Sequence, residues 1–259
     1  VAVDFGLDDK RALVTGSGQG VGRAIALQLA AGGAEVLVND YFHDRAEAVV
    51  EEIRAAGGRA EPAPFDVTNF EMVHDAISAL GQVDILVNNA GNAGSEGWAG
   101  LDKFVDTTPD DWAKYLSVNL YGVMNCVHAV LPSMIASQWG RIVCIVSDAA
   151  RNGEPQMASY GAAKAGAAGF SRCIAHEVGR YGITVNNISL GTMRTPISAA
   201  RWDDPTLADQ HKAALANYVI RRPGEPEDPA WLILSLVSPR ASWITGQTYP
   251  VNGGYTFAL

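Results

Sequence analysis

Tyr160-Gly161-Ala162-Ala163-Lys164 sets a phenol and an amine four residues apart, a spacing that puts both on one face of a helix. An ordinary tyrosine, with a pKa of roughly 10, is a poor base near neutrality. A cation beside it favours the phenolate and makes it a usable proton acceptor. Thirteen positions earlier, Ser147 closes the apolar run Ile142–Val146, at the carboxyl edge where open α/β sheets bind ligands. A hydroxyl there could hold a substrate oxygen while the phenol gives or takes its proton. Taken alone, the Tyr–Lys pair equally fits a tyrosine packed on a lysine stem.

A second constellation lies near the start. Thr15-Gly16-Ser17-Gly18-Gln19-Gly20-Val21-Gly22 opens an amphipathic helix with Val21, Ile25 and Leu29 on one stripe. Glycines allow a sharp turn and close approach of backbone to a pyrophosphate, whose charge the free N–H groups of a helix start favour. The spacing is G-x-x-x-G-x-G, with Val21 where the commoner dinucleotide fingerprint has its third glycine. The next apolar run ends at Asn39-Asp40. An acid there is placed to accept hydrogen bonds from an adenosine ribose and to repel the 2′-phosphate of NADP. Gln19 is uncharged and Tyr41 follows the acid, which favours NAD; Arg45, one turn on, is the residue that argues for a phosphate.

These groups need a scaffold that brings strand ends together. Strand-like runs recur at 12–14, 35–38, 60–65, 83–87, 141–146, 184–188 and 247–250, and Ala-rich helical stretches separate them at about 21–32, 44–57, 69–80, 109–137, 157–180 and 227–237. Alternation of apolar strands with helices predicts an α/β fold: a doubly wound parallel sheet covered on both faces, in a single domain spanning 1–259. Asn88-Asn89-Ala90-Gly91 then ends the fourth strand.

With 48% hydrophobic and 18% charged residues, the 259-residue chain can fill a core. A net charge of -9 argues against nucleic acid or an anionic membrane as partner. No apolar run approaches the roughly 20 residues that span a bilayer. Val1–Lys10 has no signal-peptide core. Cys126, Cys144 and Cys173 are scattered, and the five histidines show no metal-ligand spacing. The expectation is a reducing, cytoplasmic location and no metal.

In order along the chain, Gly16 through Gly22, Asp66, Asn88-Asn89-Ala90-Gly91, Asn119, Ser147, Tyr160 with Lys164, and Gly246-Gln247 resemble the markers of the short-chain dehydrogenase/reductase family, in its compact single-domain, Rossmann-type branch. The resemblance implies that Tyr160 is the general acid/base, that Lys164 lowers its pKa and binds the nicotinamide ribose, and that Ser147 polarises the substrate oxygen. It implies that Asn119 retains a water linking Lys164 to solvent. Gly16, Gln19, Gly20, Val21 and Gly22 would cradle the cofactor, Asp40 its ribose, and Asp66 with the backbone of Val67 its adenine. Asn89, Ala90 and Gly91 would line the groove, and the Met193 backbone with the Thr195 hydroxyl would grip the carboxamide. Leu190 departs from the pattern, standing where the family usually has Pro.

The function expected is NAD(H)-dependent interconversion of a secondary alcohol and a ketone on a small-molecule substrate. The alternatives are an NADPH-dependent 3-oxoacyl-thioester reductase and a non-catalytic NAD-sensing protein. A substrate lid is expected at 192–222, with Asp204 and Pro205 opening a short helix. Leu207, His211, Leu215 and Tyr218 share a stripe on it, near Met193 and Trp202, with Trp98 on the opposite rim. If the stripe faces the site, the substrate is bulky and apolar; otherwise it packs the lid onto the body. Ala162, Gly166, Gly169 and Cys173 form a small-residue face opposite the catalytic pair, and the resemblance implies a homotetramer.

Overall fold

Every position of the strands Ile85–Asn88 and Gly140–Ser147 is buried, the condition of a parallel sheet with helices on both faces. The computed structural model describes residues 4–92 and 102–257. It runs β1 (Arg11–Val14), α1 (Gly20–Ala31), β2 (Glu35–Val38), α2 (His43–Ala55), β3 (Arg59–Pro62), α3 (Phe70–Leu80), β4 (Ile85–Asn88), α4 (Pro109–Leu116) and α5 (Gly122–Ser137). Then follow β5 (Gly140–Ser147), α6 (Ala149–Asn152), α7 (Ala158–Val178), β6 (Ile183–Leu190), α8 (Pro196–Trp202), α9 (Ala208–Ala214), α10 (Glu227–Val237) and β7 (Thr248–Val251).

The strands lie parallel in the order β3-β2-β1-β4-β5-β6-β7. Alternate residues face opposite layers. Val36, Val38, Ile85 and Val87 join Ile25, Leu29, Val50 and Ile233 under α1, α2 and α10. Leu37, Leu86, Ile142 and Cys144 join Val73, Val127, Val130 and Ala167 under α3, α5 and α7. The expected doubly wound sheet is present. Its order reverses between β1 and β4, so the chains leaving those strands diverge and open a crevice at their carboxyl ends.

Three local expectations change. The third strand stops at Pro62 because the carbonyls of Ala63 and Phe65 accept hydrogen bonds from the Asn39 side chain instead of a neighbouring strand. The helix expected over 109–137 is broken by a π-turn at Ser117–Tyr121. There the Asn119 amide donates to the carbonyl of Tyr115, one turn back. Third, Pro109–Ser137 taken together is long and apolar enough to cross a membrane by length and composition, contrary to the expectation of no such run. Several of its apolar groups, among them Cys126, Val127, Val130 and Met134, pack in the core instead.

The segment 192–222 holds α8 and α9, joined through a 3₁₀ turn at Pro205–Leu207 that Asp204 caps by accepting from the Thr206 N–H at 2.8 Å. Leu215 and Tyr218 are buried, whereas Leu207 and His211 remain partly exposed. Tyr218 stacks on Tyr255 at 4.8 Å, accepts from the Thr192 N–H at 2.9 Å and donates to the Thr192 hydroxyl at 3.0 Å. That half of the stripe therefore packs the segment onto the body. Trp98 lies outside the described residues.

Candidate active site

Ser147 ends β5 at the carboxyl edge, where its hydroxyl accepts from the Ala149 N–H at 3.2 Å. Tyr160, in the first turn of α7, is hydrogen-bonded to Ser147. One turn further, Lys164 is 4% exposed, and its ammonium donates to the Ile145 carbonyl at 2.8 Å. The same nitrogen lies 5.9 Å from the centre of the Tyr160 ring.

Burial pushes the Tyr160 phenol above its ordinary value of 10, and the bond to Ser147 works against that rise. Burial lowers Lys164 from 10.5 to about 8, opposed by the nearby Cys144. The expectation that Lys164 depresses the Tyr160 pKa is thus not met here. The ammonium is turned onto the β5 backbone, and burial dominates at the phenol.

Asn119 is fully buried in the π-turn. Its amide donates to the backbone and side-chain oxygens of Asn92 at 3.0 and 2.8 Å, and its oxygen accepts from the Asn92 N–H at 3.3 Å. A Cβ at Gly91 would stand 2.7 Å from the Asn119 Oδ1 and 3.2 Å from the Lys164 Nζ. Only glycine lets the two groups converge on that strand end. The π-turn is what aims Asn119 inward, in keeping with the frequent placing of such turns at functional sites.

The residues expected to hold the dinucleotide gather in one cleft of about 750 Å³ beyond β1 and β4. Gly16, Gln19, Gly20, Val21, Gly22, Asp40, Asp66, Val67, Asn89, Ala90, Gly91 and Thr195 all line it. Met193 does not. It bridges to Gly224, its carbonyl accepts from the Ser198 hydroxyl at 3.1 Å, and it lines a separate cavity of about 320 Å³.

The cleft's walls suit a pyrophosphate and a ribose. A Cβ at Gly22 would come 2.3 Å from the Gly16 carbonyl and 2.5 Å from the Asn89 Nδ2, so the helix start meets the glycine turn with no room for a side chain. No side chain caps α1, leaving its first N–H groups open to an anion. The Asn89 amide holds the turn by donating to the carbonyls of Thr15 and Gly16, both at 2.9 Å. Asp40, 6% exposed, accepts from the Gly18 N–H at 3.1 Å and the Phe42 N–H at 3.0 Å, one on each oxygen. Each oxygen keeps acceptor capacity for a ribose hydroxyl. Asp66 accepts from the Thr68 N–H and hydroxyl, both at 2.8 Å.

Sequence reading missed Asn39, which accepts from the Gly16 N–H at 3.3 Å and anchors the turn to the Ala63 and Phe65 carbonyls. It also missed Lys114, Ser117 and Val118 on the cleft wall, because an unbroken helix gives no sign of where its phase shifts. Arg45 lines the cleft, its guanidinium 4.3 Å over the Phe42 ring.

Residues 16–256 match a family model described as enoyl-(acyl carrier protein) reductase. A 3-oxoacyl-(acyl-carrier-protein) reductase of Staphylococcus epidermidis is 39% identical over 251 residues, 95% of this chain and 98% of that one. A 7alpha-hydroxysteroid dehydrogenase of Escherichia coli is 36% identical over 252 residues, 96% of this chain and 94% of that one. The crystal structure of a gluconate 5-dehydrogenase from Burkholderia cenocepacia, in complex with NADP and tartrate, superposes with a TM-score of 0.89 at 33% identity, covering 99% of this chain and 98% of the other. With its reversing parallel sheet, its glycine-lined cleft and the Ser147–Tyr160 pair beside it, the chain belongs to the short-chain dehydrogenase/reductase family of oxidoreductases.

Proposed function

We propose that this protein interconverts a secondary alcohol and a ketone with NAD(H), using Tyr160 as general acid/base. The observation that carries the reading is the Tyr160–Ser147 hydrogen bond at the carboxyl edge of β5. When bound, the nicotinamide supplies or accepts the hydride, and the chain's own work is the proton and the oxygen. Ser147 holds the substrate oxygen, so that charge developing there meets a donor already in place. Tyr160 gives its proton to that oxygen in reduction and takes it back in oxidation. Lys164 binds the nicotinamide ribose and, with its charge beside the phenol, favours phenolate once the cofactor completes the site. Asn119 lies against Lys164 at Gly91, a position suited to passing the proton on toward solvent.

Asp40 favours NAD. Its buried carboxylate leaves a 2′-phosphate facing a negative charge. Asp40→Asn removes the charge and keeps one acceptor oxygen, which can still hold the Gly18 N–H of the glycine turn while the Phe42 N–H loses its partner. Hydrogen bonds to charged groups are worth about 1.5–3 kcal/mol, so the variant should lose roughly ten- to a hundred-fold of its NAD preference at 1.4 kcal/mol per decade. Ratios of kcat/KM with NAD+ and NADP+ measure this. A higher kcat/KM with NADP+ in the unmodified enzyme overturns the role given to Asp40.

For the substrate, a bulky apolar alcohol is the reading supported by relatives named for steroid and acyl-thioester substrates. A second reading, an NADPH-dependent 3-oxoacyl-thioester reductase, is favoured by Arg45 on the cleft wall and by the reductase relative. One assay separates them: NAD+ with an alicyclic alcohol, a hydroxysteroid, a hydroxyacyl-CoA and a sugar alcohol, against NADPH with acetoacetyl-CoA. A clear preference for the sugar alcohol removes the apolar reading and leaves the hydride chemistry standing.

A cytoplasmic homotetramer completes the proposal. On α7, Ala162 and Cys173 are exposed and Gly166 and Gly169 partly so, and Tyr121 and Met124 are exposed on the neighbouring helix. Small side chains let another helix approach closely, and two-fold interfaces close such assemblies. Light scattering at micromolar concentration should give four copies of the 27.4 kDa chain. A mass of one copy counts decisively against it.

A further inference from the structure

Asp148 follows Ser147 directly, and the chemistry proposed above gives it no task. It is nevertheless 2% exposed, and a buried carboxylate is costly unless paired and hydrogen-bonded. Its partners come from three separate stretches of chain. One oxygen accepts from the Ser189 hydroxyl of β6 at 2.6 Å and from Arg151 of α6 at 3.4 Å. The other accepts from the Asn252 amide at 2.5 Å.

Two of those partners continue into the C-terminal segment. Asn252 donates to the Thr256 carbonyl and hydroxyl, both at 3.0 Å. Arg151 donates to the Thr256 hydroxyl and the Phe257 carbonyl, both at 2.8 Å. Within the same segment, Tyr255 donates to Glu154 at 2.5 Å, and its ring is the one on which Tyr218 of the lid stacks. Toward the site, the residue after Asp148 is the one whose N–H donates to Ser147. A Cβ at Gly161, the neighbour of Tyr160, would stand 3.1 Å from the Ala149 carbonyl. A shift of the Asp148 turn would therefore be felt at Ser147 and Tyr160 together.

We propose that Asp148 is a positioning residue that ties the Ser147–Tyr160 pair to residues 252–257 and makes that segment the seat of the lid. This rests on the roles given above to Ser147 and Tyr160. Loss of one charge-assisted bond in a buried network loosens every segment the network joins.

The test is Asp148→Asn in the full chain, which keeps the shape but turns an N–H₂ group toward one of the three donors. With the alcohol that the unmodified enzyme turns over best, kcat should fall and KM rise, each by about tenfold. NADH binding, read by fluorescence, should stay within a few-fold, because Asp148 is not on the cleft wall. Hydrogen–deuterium exchange should quicken together in peptides covering 205–220 and 250–257, with β1 and α1 unchanged. Thr256→Val cuts the far end of the network without touching Asp148 and should produce a milder form of the same paired loosening. It carries the test if Asp148→Asn does not fold. Unchanged kinetics in folded Asp148→Asn, or faster exchange confined to 147–152, overturns the proposal. The exchange readout is independent of activity. Full turnover by Ser147→Ala would sink the catalytic reading instead, and leaves the exchange result to be judged separately.

Discussion

Phenylalanine at position 160 should cut kcat by roughly 10²–10⁴-fold, the range that general acid–base catalysis supplies, and leave NADH affinity within a few-fold. The substitution removes one hydroxyl. The ring keeps its edge contact with Tyr115 at 6.4 Å, and Ser147 keeps the Ala149 N–H. The Lys164 ammonium and the residues of the glycine cleft are untouched, so the cofactor should lose little. Stability should fall by no more than about 1 kcal/mol, the worth of the lost bond to Ser147. Steady-state alcohol oxidation and an NADH fluorescence titration check the two halves. Near-normal turnover overturns the assignment of Tyr160.

Lys164→Met should separate activity from stability in opposite directions. Loss of the amine removes the cation near the phenol and the proposed ribose contact, so turnover and cofactor affinity should both fall by a factor of ten or more. Folding should benefit. The lysine pKa is lowered from 10.5 to about 8 by burial. Between those values the unfolded chain holds the proton and the folded chain does not. The stability of the unmodified protein therefore rises as pH climbs from about 8 to 10.5. Below about 8 the folded state carries the whole cost of the buried charge, about 3 kcal/mol for that shift. Methionine forfeits the ammonium's bond to the Ile145 carbonyl, worth about 1.5–3 kcal/mol for a charged donor. The variant should thus be more stable by up to about 1.5 kcal/mol at pH 7, with the advantage fading toward pH 10.5. Urea unfolding of the cofactor-free protein at pH 7 and pH 10 tests this. A Met variant less stable than the unmodified protein at pH 7 shows that the ammonium is held favourably after all.

The parallel sheet was legible because its strands are apolar on both faces, a pattern that strand–helix alternation makes unambiguous. The glycine turn and Asp40 were legible because a close backbone approach and a buried acid at a strand end leave few other residues possible. Where the sequence misled, a long-range partner had intervened. Asn39 takes the carbonyls that would have prolonged β3. Met193 is drawn to Gly224 and away from the cleft. Lys164 prefers the Ile145 carbonyl to the phenol four residues back. None of these partners lies within a helical turn of its residue, so no local spacing announces it. The lid divided along the same line: the Asp204 cap is local and was foreseen, while the burial of Tyr218 depends on Thr192 and Tyr255.

The π-turn at Ser117–Tyr121 amounts to a one-residue insertion in an otherwise continuous helix. One residue advances an α-helix by about 100°, so the stretches before and after the turn keep different phases. Lys114, Ser117 and Val118 face the cleft on the first phase, and Val123, Val127, Val130 and Met134 face the core on the second. Deleting one residue would restore a regular helix with a full ladder. It would also swing either Asn119 away from Gly91 or the apolar row off its layer. Pressure toward a better helix and pressure toward a working site act against each other at this turn, and the number of residues between Lys114 and Val123 is as constrained as the identity of Asn119.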